Sequence, residues 1–563
     1  MLASVPAQAQ PVIQATNGVV NVSSFLPDVA QGSWFVILGT GLGPASISVQ
    51  NGIPYPTQLS GTSIKFTPQS GGAPISAYMY YTVSTATAGM LPSTAPLGVY
   101  NVTVTYNQQT SAPVSVNVVA HNFGFATQAE DGLGPAQATY GGYNLNRFTT
   151  GSIGQWSIRP AKPGDVMVLW GTGLGADPAS DINGGSSGDQ TASAQVSVIV
   201  SGIPVTPAFA GRSSGSPGLD QINFTIPTTV TPSCFVSLMV SAGGTLSNLG
   251  SIAVAAPGQA TCPSPNLTQA QLQTLDLGGT LTAGIVQLGQ VHTTFTASVS
   301  EHTDTTAGSF GTFGIDAVAT SNLGVVQPGA CFLVQRSGTE DQLGFGTPPP
   351  QRLDAGAELT LNGPNASNTP IPRQSGDLDD IYLATLYSTG LLGTGAVGTS
   401  PVLTAGTYTV AGTGGADVGA FSASIALPGD FAWTNQDSLP NPIPRNTTLT
   451  ITWRGNEGGW VTILGAALTR TAGSGLTATY SAFAFTCTAL ASAGAFTVPG
   501  TMLQQLPAVG SNALNTTFGV LSVLAVPDLS ATQGTFTAQL TAGGTIEGGV
   551  GYEVAFNQIV GYN

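Results

Sequence analysis

Val36-Ile-Leu-Gly-Thr-Gly-Leu-Gly43 recurs in this sequence as Val168-Leu-Trp-Gly-Thr-Gly-Leu-Gly175. Two further matches follow in the same order: Val49-Gln-Asn-Gly-Ile-Pro54 with Val200-Ser-Gly-Ile-Pro204, and Ile64-Lys-Phe-Thr67 with Ile222-Asn-Phe-Thr225. Self-similarity over this length is typical of a duplicated structural unit. The sequence therefore predicts an internal repeat in its N-terminal half.

Each copy is expected to be a strand that runs into a turn. Trp34, Val36 and Leu38 alternate with their neighbours and should share one face of the strand, and the glycines of Gly39-Thr-Gly-Leu-Gly43 allow a sharp bend. A phosphate-binding glycine loop would need a helix to follow. Pro44 follows one copy and Asp177-Pro178 the other, so we interpret the stretch as a β-turn.

Period-two alternation predicts antiparallel strands with one buried face. Tyr100, Val102, Val104 and Tyr106 alternate with Asn101, Thr103 and Thr105. The same pattern continues in both halves of the chain, with the apolar positions Val114, Val116, Val118, Val196, Val198, Val200, Phe295, Ala297, Val299, Phe421, Ala423, Ile425, Leu427, Leu449, Ile451, Trp453, Phe536, Ala538 and Leu540. The predicted fold class is all-β: tandem immunoglobulin-like β-sandwiches, two repeated N-terminal units and one or two C-terminal ones.

Three motifs resemble an uncharacterised repeat of secreted bacterial proteins, similar to the transcription-factor immunoglobulin (IPT/TIG) type of sandwich. They are Asn17-Gly-Val-Val-Asn-Val-Ser-Ser-Phe25, the Gly-Thr-Gly-Leu turn, and Asp220-Gln-Ile-Asn-Phe-Thr-Ile-Pro227. The resemblance covers about residues 11–258 and implies an exported sandwich with no catalytic residues. The first unit departs from it, since Thr62-Ser-Ile-Lys-Phe-Thr-Pro68 stands where the Gln-Ile-Asn strand is expected.

We expect six segments. They are a signal remnant or disordered stretch (1–10), sandwich 1 (11–120), sandwich 2 (121–258), a proline-containing linker (259–266), sandwich 3 (267–428) and sandwich 4 (429–563). Ala7-Gln-Ala9 resembles a signal cleavage site, although the charged and apolar parts of a signal are missing. Thr268 is predicted to cap a short helix over 268–275.

Composition narrows the classes of partner. Charged residues make up 7%, against roughly 25% in ordinary domains, and the formal net charge is -15. With only Lys65 and Lys162 as lysines, nucleic acid and anionic lipid are excluded as expected partners. No apolar run is long enough to predict a membrane span.

A weakly charged surface favours self-association, so a homo-oligomer or polymer formed through sheet edges is one hypothesis. In such an assembly, residues 11–24 would pair with the sheet edge of a neighbouring molecule.

The four cysteines are Cys234, Cys262, Cys331 and Cys487, with no CxxC pair. An even number without metal-type spacing favours disulfides and an extracellular location, secreted or at the cell surface. Three pairings are possible; we favour Cys234 with Cys262 and Cys331 with Cys487. Four buried free thiols are the alternative.

Two patterns with catalytic or metal-binding potential have weak context. Gly211-Arg-Ser-Ser-Gly215 fits the G-x-S-x-G pattern of a hydrolase, but Ser216-Pro217-Gly218 follows instead of a helix. His121, His292 and His302 lack close metal-ligand spacing, although His302 lies near Glu301 and Asp304. We expect loop residues in both cases, and predict no catalytic, cofactor-binding or metal-binding residues.

Acidic clusters raise the question of structural calcium. Asp377, Asp379 and Asp380 form one cluster, and Asp177, Asp181 and Asp189 lie along the loop of the second unit. Oxygen-rich loops suit calcium, but neither cluster has the EF-hand pattern. Solvated acidic turns are the favoured interpretation, and calcium is the alternative.

Tryptophans suggest a glycan hypothesis. Trp433, Trp453 and Trp460 would suit a sugar-binding platform, yet Trp453 is in register with buried Leu449 and Ile451, which favours core packing. The leading hypothesis is a non-enzymatic extracellular structural or adhesive protein, self-assembling into a fibre or surface layer. The alternatives are a glycan-binding module and, ranked last, a secreted hydrolase with its site in 267–563.

Overall fold

The computed structural model describes residues 10–14, 18–141, 144–264, 267–296, 298–318, 329, 331–339, 351–375, 380–390, 399–429, 431–472, 479–512, 517–527 and 534–563. The chain divides into two compact units, Met1–Pro263 and Ser264–Asn563. Both are built of antiparallel and mixed β-sheets, so the predicted all-β class of tandem immunoglobulin-like sandwiches is confirmed. No helix in the described part of the chain is long and apolar enough to cross a membrane.

The first sandwich packs two sheets around one core. Its strands are β1 (Val12–Ile13), β2 (Val19–Asn21), β3 (Val29–Ala30), β4 (Trp34–Thr40), β5 (Ser48–Val49), β6 (Thr62–Pro68), β7 (Ile75–Ser76), β8 (Tyr78–Val83), β9 (Ala86–Met90), β10 (Gly98–Tyr106), β11 (Gln109–Thr110) and β12 (Val114–Val119). One sheet has the order β1-β4-β9-β8-β5, with β2 also on β4; the other has the order β3-β12-β10-β6-β7, with β11 on β10. Phe35, Ile37, Tyr100 and Val102 lie in the core between them.

The second sandwich repeats this plan. Its strands are β13 (Gly124–Phe125), β14 (Ala138–Tyr140), β15 (Asn144–Asn146), β16 (Gly151–Ile153), β17 (Trp156–Arg159), β18 (Val166–Thr172), β19 (Ser197–Val200), β20 (Ile203–Val205), β21 (Phe209–Arg212), β22 (Asp220–Thr225), β23 (Ser233–Ala242), β24 (Thr245–Leu246) and β25 (Gly250–Val254). The sheet orders are β16-β17-β15-β14-β18-β22-β21, with β13 on β18, and β20-β19-β23-β24, with β25 on β23.

Strand pairing corrects two of the matches between the copies. β4 pairs with β9 and β18 with β22, whereas β6 pairs with β10 and β19 with β23. The counterpart of β22 is therefore β9, and the counterpart of β6 is β19. The predicted match of Ile64–Thr67 with Ile222–Thr225 is wrong, because these segments lie in different sheets, and so is that of Val49–Pro54 with Val200–Pro204. The first sandwich therefore does contain a counterpart of β22, namely β9.

Both sandwiches share a hydrogen bond from a strand amide to a serine hydroxyl. Ser111 Oγ accepts a hydrogen bond from the amide of Val104 at 3.1 Å, and Ser247 Oγ accepts one from Val240 at 2.9 Å. Both serines follow the short strand beside the long one, β11 beside β10 and β24 beside β23. Each hydroxyl satisfies a buried amide where that short strand ends.

The C-terminal unit, Ser264–Asn563, is organised around one large sheet. Its strands are β26 (Leu281–Thr296), β27 (Val299–Phe313), β28 (Cys331–Thr339), β29 (Gln351–Arg352), β30 (Glu358–Gly363), β31 (Ala366–Pro372), β32 (Ile381–Ser388), β33 (Gly406–Gly412), β34 (Phe421–Leu427), β35 (Ala432–Trp433), β36 (Leu449–Arg454), β37 (Trp460–Ala472), β38 (Thr479–Leu490), β39 (Ala495–Val498), β40 (Thr517–Val526), β41 (Thr535–Gln539) and β42 (Thr545–Val560). The ten-stranded sheet has the order β28-β38-β37-β40-β42-β26-β27-β29, with β32 on β27 and β41 on β42; the smaller sheets are β31-β30-β33-β34 and β35-β36-β39.

Helices are few. Helix α1 (Gln269–Asp276) is capped by Thr268, as predicted, and Gln271 completes a capping box. The other helical segments among the described residues are 315–318, the short helix Gly500–Leu503 and the 3-10 turns Gln436–Ser438 and Ala491–Ala493.

The expected boundary between 428 and 429 does not separate two sandwiches. β26 and β42 lie side by side in parallel, from Ala283 opposite Glu547 to Thr294 opposite Gln558. The large sheet therefore takes strands from both sides of the expected boundary, and Ser264–Asn563 is one unit. Phe295 and Val299 flank the turn of the β26–β27 hairpin rather than continuing one strand.

The expected linker belongs in part to the second sandwich. Cys262 forms a disulfide with Cys234, and its amide donates to Phe148 O at 3.1 Å. Cys331 pairs with Cys487, directly opposite it across β28 and β38. These are the two pairs favoured from the sequence.

The N-terminal strands pair within their own sandwich. β1 lies beside β4 from Val12 opposite Thr40, and β2 lies beside β4 from Val19 opposite Ile37. β1 is the end strand of its sheet, and the pairing of residues 11–24 with a neighbouring molecule stays a prediction.

Candidate binding surface

The outer face of the β1-β4-β9-β8-β5 sheet carries a group of aromatic side chains. Along β4, Phe35 and Ile37 point into the core. Because side chains alternate along a strand, Trp34, Val36 and Leu38 share one face, as predicted, and this face points outward. Val36 and Leu38 are covered there by neighbouring apolar groups, whereas Trp34 remains half-buried.

A β-bulge places two successive tyrosines on this same face. Met79 pairs with Gly89 and Tyr81 with Ala88, so Tyr80 has no partner on β9. An extra residue of this kind changes the side-chain direction within a strand. Met79 therefore stays in the core, Tyr81 packs beside Val36, and Tyr80 projects outward with 39% of its surface exposed.

Four rings form a continuous cluster, which we call the aromatic surface: Trp34, Tyr55, Tyr80 and Tyr81. Ring centroids are separated by 5.1 Å (Trp34–Tyr55), 4.9 Å (Trp34–Tyr80), 6.0 Å (Tyr55–Tyr80) and 6.0 Å (Tyr80–Tyr81). All four contacts are edge-to-face, with interplanar angles from 61° to 83°. Such pairs are favourable beyond their buried area, which fixes the rings relative to one another.

Exposed aliphatic side chains extend the surface. Val49 lies opposite Tyr81 across β5 and β8, hence on the same face. Val49, Ile47 and Ile53 are 41%, 61% and 39% exposed. A grouping of large exposed apolar side chains marks an interaction surface more often than isolated ones do.

The second sandwich holds Trp34 in place. Its indole Nε1 donates to Pro217 O at 2.8 Å, and its backbone amide donates to Thr172 Oγ1 at 2.9 Å. Gly218, at φ +77°, lies against the ring, and a Cβ there would come within 2.4 Å of Nε1. The ring is therefore positioned by both sandwiches.

Buried polar contacts join the two sandwiches. Asn21 Nδ2 donates to Asn122 O and Thr172 O at 2.9 and 3.1 Å. Asp181 accepts from the amide and hydroxyl of Ser93 at 2.8 and 2.7 Å. Each of these contacts is directional and buried, so the pair acts as one body.

An ion pair lies close to this junction. Arg212 Nη1 is 3.2 Å from Asp220 Oδ1, and both side chains are almost fully buried. Asp220 Oδ2 also accepts from the amide of Leu174 at 2.8 Å. Burial raises the pKa of Asp220, and Arg212 opposes this rise. Asp220 thus links the β22 motif to the Gly-Thr-Gly-Leu turn, and Arg212 donates to Gly175 O in that turn.

The G-x-S-x-G match is a hairpin turn. Arg212 ends β21, Asp220 begins β22, and the two residues face each other across the pair. The amide of Ser213 donates to Leu219 O at 2.8 Å. A strand follows the turn, so the strand-to-helix context of a hydrolase nucleophile is absent at this position.

The aspartates of the 177–190 loop bind protein donors. Asp177 accepts hydrogen bonds from the amide and hydroxyl of Ser187. Asp189 accepts from the hydroxyl of Thr191 and the amide of Ala210. Asp181 accepts from the hydroxyl of Ser93. Asp177 and Asp181 are buried rather than solvated. Within the described ranges, no group of three His, Cys, Asp or Glu is placed to hold a metal.

Asp377 and Asp379 lie outside the described residues. The third member of that cluster, Asp380, pairs with Arg373 at 3.2 Å, and Arg373 also contacts Asp354. Asp380 is thus part of an ion-pair network at the start of β32.

His292 and His302 are strand residues, which corrects the expectation of loops. They face each other across β26 and β27 with stacked rings 4.2 Å apart. His302 Nε2 is 2.9 Å from Asp304 Oδ1, and Asp304 Oδ2 accepts from the amides of Val402 and Leu403. His292 also stacks on Phe556 at 4.7 Å. The third histidine, His121, has Nδ1 2.7 Å from Leu174 O.

Acid is expected to loosen this histidine pair. Burial, with a contribution from His302, lowers the pKa of His292 to about 4 from 6.5. The folded-state pKa of His292 lies below its unfolded value, so neutral His292 stabilises the fold fully above pH 6.5, and this contribution is lost as the pH falls toward 4. The expected loss in the free energy of unfolding is about 1–3 kcal/mol, because the side chain is partly exposed. Hydrogen exchange of peptides from 281–313 should rise between pH 7 and 4.5, after correction for the intrinsic exchange rate. His292→Phe should abolish this part of the rise; the same rise in the variant would contradict it.

The tryptophans proposed for a sugar platform are mostly core residues. Trp433 and Trp453 are opposite each other on β35 and β36, and are 6% and 4% exposed. Trp453 Nε1 donates to Ala491 O at 2.8 Å. Trp460, the first residue of β37, is half-buried. The aromatic surface lies instead in the first sandwich, where Tyr80-Tyr81 interrupts the alternation and is the sequence signal of the bulge.

Comparison with known proteins gives no family. No family model matches the chain, and no curated protein does. Among solved structures, the chain is similar to a surface glycan-binding protein, SGBP-B of Bacteroides ovatus, solved with a mixed-linkage heptasaccharide (11% identity, 79% of this chain and 84% of that one, TM-score 0.13). It is also similar to domains 5-6 of the S-layer protein SbsC (11%, 44% and 99%, TM-score 0.16) and to FdeC, an Escherichia coli adhesin (14%, 72% and 94%, TM-score 0.12).

Proposed function

We propose that this chain is a non-enzymatic extracellular protein of structural or adhesive type. The observation that carries the proposal is the joined pair of N-terminal sandwiches, which holds Trp34, Tyr80 and Tyr81 of the aromatic surface on strands β4 and β8. Trp34 belongs to one sandwich and is fixed by Thr172 and Pro217 of the other. Sites built on rigid elements bind without first ordering a loop, which lowers the entropic cost of association.

The disulfides support an extracellular location, secreted or at the cell surface. Cys234–Cys262 and Cys331–Cys487 each join strands or segments distant in sequence. Disulfides persist in oxidising compartments and are rare in reducing ones. The motifs resembling the IPT/TIG type of bacterial repeat are consistent with such a protein: Asn21 of the first motif binds the second sandwich, and Asp220 of the third holds the Gly-Thr-Gly-Leu turn.

The main ionisable contacts are structural, which supports a non-enzymatic role. Arg212 pairs with Asp220, Arg373 with Asp354 and Asp380, and Asp304 with His302 and two backbone amides. Groups committed to such contacts are poor nucleophiles or bases for a bound substrate.

Self-assembly into a fibre or surface layer is part of the proposal. The low charge of the chain supports it, since weakly charged surfaces repel one another little. The contact would use the edge of a sheet, such as the side of β1 that faces away from β4.

Purified full-length chain tests the proposal in three assays. We expect it to sediment with washed bacterial cells or to form ordered assemblies by electron microscopy, and to release no product from chromogenic glycosides or esters. A chain that stays monomeric and in the supernatant with every cell preparation would contradict the adhesive or structural role. Turnover of any substrate would contradict the non-enzymatic one.

Glycan binding is the second candidate function. The favouring observation is the aromatic surface, because aromatic rings are apolar bodies that can also carry a polar group. It is compatible with adhesion, since a surface polysaccharide would then be what the protein adheres to.

A further inference from the structure

We infer that the aromatic surface binds an uncharged carbohydrate chain. This inference rests on the proposed function and deepens it, because it names the ligand class and the residues that contact it. Tyr80 and Tyr55 would be the principal contacts, and Trp34 the fixed base of the site.

The charge distribution disfavours an anionic ligand. Residues 29–64, which contain Trp34, Tyr55 and the exposed aliphatic side chains, include no ionisable acid or base other than Tyr55 itself. In the whole of residues 11–120, Asp28 and Lys65 are the only charged side chains. Asp28 is engaged with Asn117, and Lys65 lies on β6, in the other sheet. Burial raises the pKa of Tyr81, and the negative charge of Glu130, which lies nearby across the junction in the second sandwich, raises it further. An anionic ligand would therefore meet repulsion and no compensating positive charge beside the rings.

The rings offer both parts of a carbohydrate-binding contact. Their edge-to-face arrangement, with Trp34 and Tyr55 at 82° and Tyr55 and Tyr80 at 83°, makes a stepped apolar surface against which C–H groups of a sugar can pack. The hydroxyls of Tyr55 and Tyr80 have no hydrogen-bond partner in the described part of the chain. Burial raises the pKa of Tyr55, so its hydroxyl stays protonated and able to donate at neutral pH.

Uncharged polar residues also follow the strand that borders the rings. Gln50 and Asn51 come directly after Val49, the residue of β5 that lies opposite Tyr81. Gln50 is tied to Tyr80 through its backbone amide, which donates to Tyr80 O at 2.7 Å. Hydroxyl and amide groups match the hydroxyls of a sugar without requiring a counter-charge.

The neighbouring sheet edge disfavours a peptide strand as the occupant. β5 consists only of Ser48 and Val49, and it is the last strand on that side of the sheet. Strand addition draws its affinity from a row of main-chain hydrogen bonds, and two residues supply too few. The side chains, rather than the backbone edge, are therefore what this surface presents.

Binding of defined oligosaccharides to the full-length chain tests the inference. The probes are cellohexaose, xylohexaose and mannohexaose as neutral chains and an oligogalacturonate as a charged one, measured by isothermal titration. At least one neutral probe should bind and the charged one should not. Tyr80→Ala should weaken binding about tenfold or more, as loss of a central aromatic contact does, and Tyr80→Phe should weaken it less.

Tyr106→Ala is the matched control, because Tyr106 is a half-buried tyrosine of the same sandwich that lies on β10, in the other sheet. It should leave affinity unchanged, and circular dichroism with thermal melting should show all variants folded. Failure of every neutral probe, equal binding of the charged probe, or full affinity in the Tyr55→Ala/Tyr80→Ala double variant would overturn the inference. If cell adhesion persists in that double variant, the carbohydrate site fails while the adhesive function stands. A third outcome is that the double variant loses adhesion while the unmodified chain still adheres to cells stripped of surface polysaccharide. The occupant would then be a protein, and the inference would also fail.

Discussion

Replacing Arg212 by methionine is expected to lower the free energy of unfolding of the N-terminal unit by about 3–5 kcal/mol. The Arg212 and Asp220 side chains are 1% and 0% exposed, so the change leaves a buried carboxylate without its partner. The negative charge of Asp177 also raises the pKa of Asp220, so it further disfavours the ionised carboxylate. Methionine retains much of the apolar length of arginine, so charge changes more than packing. Denaturant unfolding of the full-length chain at pH 7 measures the effect.

Arg159→Met is the matched control. Arg159 and Asp165 form an ion pair at 2.8 Å in the same sandwich, but their side chains are 31% and 27% exposed. Exposed pairs contribute about 1 kcal/mol or less. Equal losses in the two variants would show that burial does not determine the contribution of the Arg212–Asp220 pair.

The pH dependence of the Arg212→Met variant follows from the raised pKa of Asp220. A carboxyl whose folded-state pKa lies above its unfolded value takes up a proton first in the folded state, so the cost of burying it is greatest at neutral pH and falls as the pH drops through the folded pKa. Removing Arg212 removes the interaction that opposes the rise. The deficit of the variant in the free energy of unfolding should therefore shrink as the pH is lowered from 7. A deficit that stays constant with pH would indicate lost packing rather than an unpaired charge.

Alternation was the most informative signal in this sequence. Tyr100, Val102 and Val104 are buried as predicted, as are Val196, Val198 and Val200, because a sheet with one solvated face permits few other patterns. The same signal placed Trp453 correctly in the core. It could not place sheet boundaries, since the parallel pairing of β26 with β42 joins residues more than 250 positions apart.

Short matches between the repeats were less reliable than strand order. Ile64-Lys-Phe-Thr67 and Ile222-Asn-Phe-Thr225 are alike because both are half-buried strands, not because they are equivalent. The aromatic surface was missed for a related reason. A bulge at Tyr80 turns two adjacent tyrosines to one face, and a strict period-two pattern assigns one of them to the core. Contacts from the other sandwich, such as Pro217 to Trp34, leave no local trace in sequence.

Removing the Cys331–Cys487 disulfide is expected to destabilise the C-terminal unit by about 5 kcal/mol in the loop-entropy model, against about 3.5 kcal/mol for Cys234–Cys262 in the N-terminal unit, because the closed loops span 156 and 28 residues. The two bonds also differ in what they hold. Cys331 begins β28, which lies at the end of the large sheet. Among the described strands β28 pairs with β38 alone, so its attachment depends on the ladder to β38 and on this bond. The double variants Cys331→Ala/Cys487→Ala and Cys234→Ala/Cys262→Ala, compared by denaturant unfolding, serve as controls for each other. Hydrogen exchange of residues 331–339 should increase in the first variant and not in the second. Unchanged exchange of residues 331–339 in the first variant would show that strand pairing alone holds β28. Equal losses in the free energy of unfolding of the two variants would show that loop length does not determine the contribution of either disulfide.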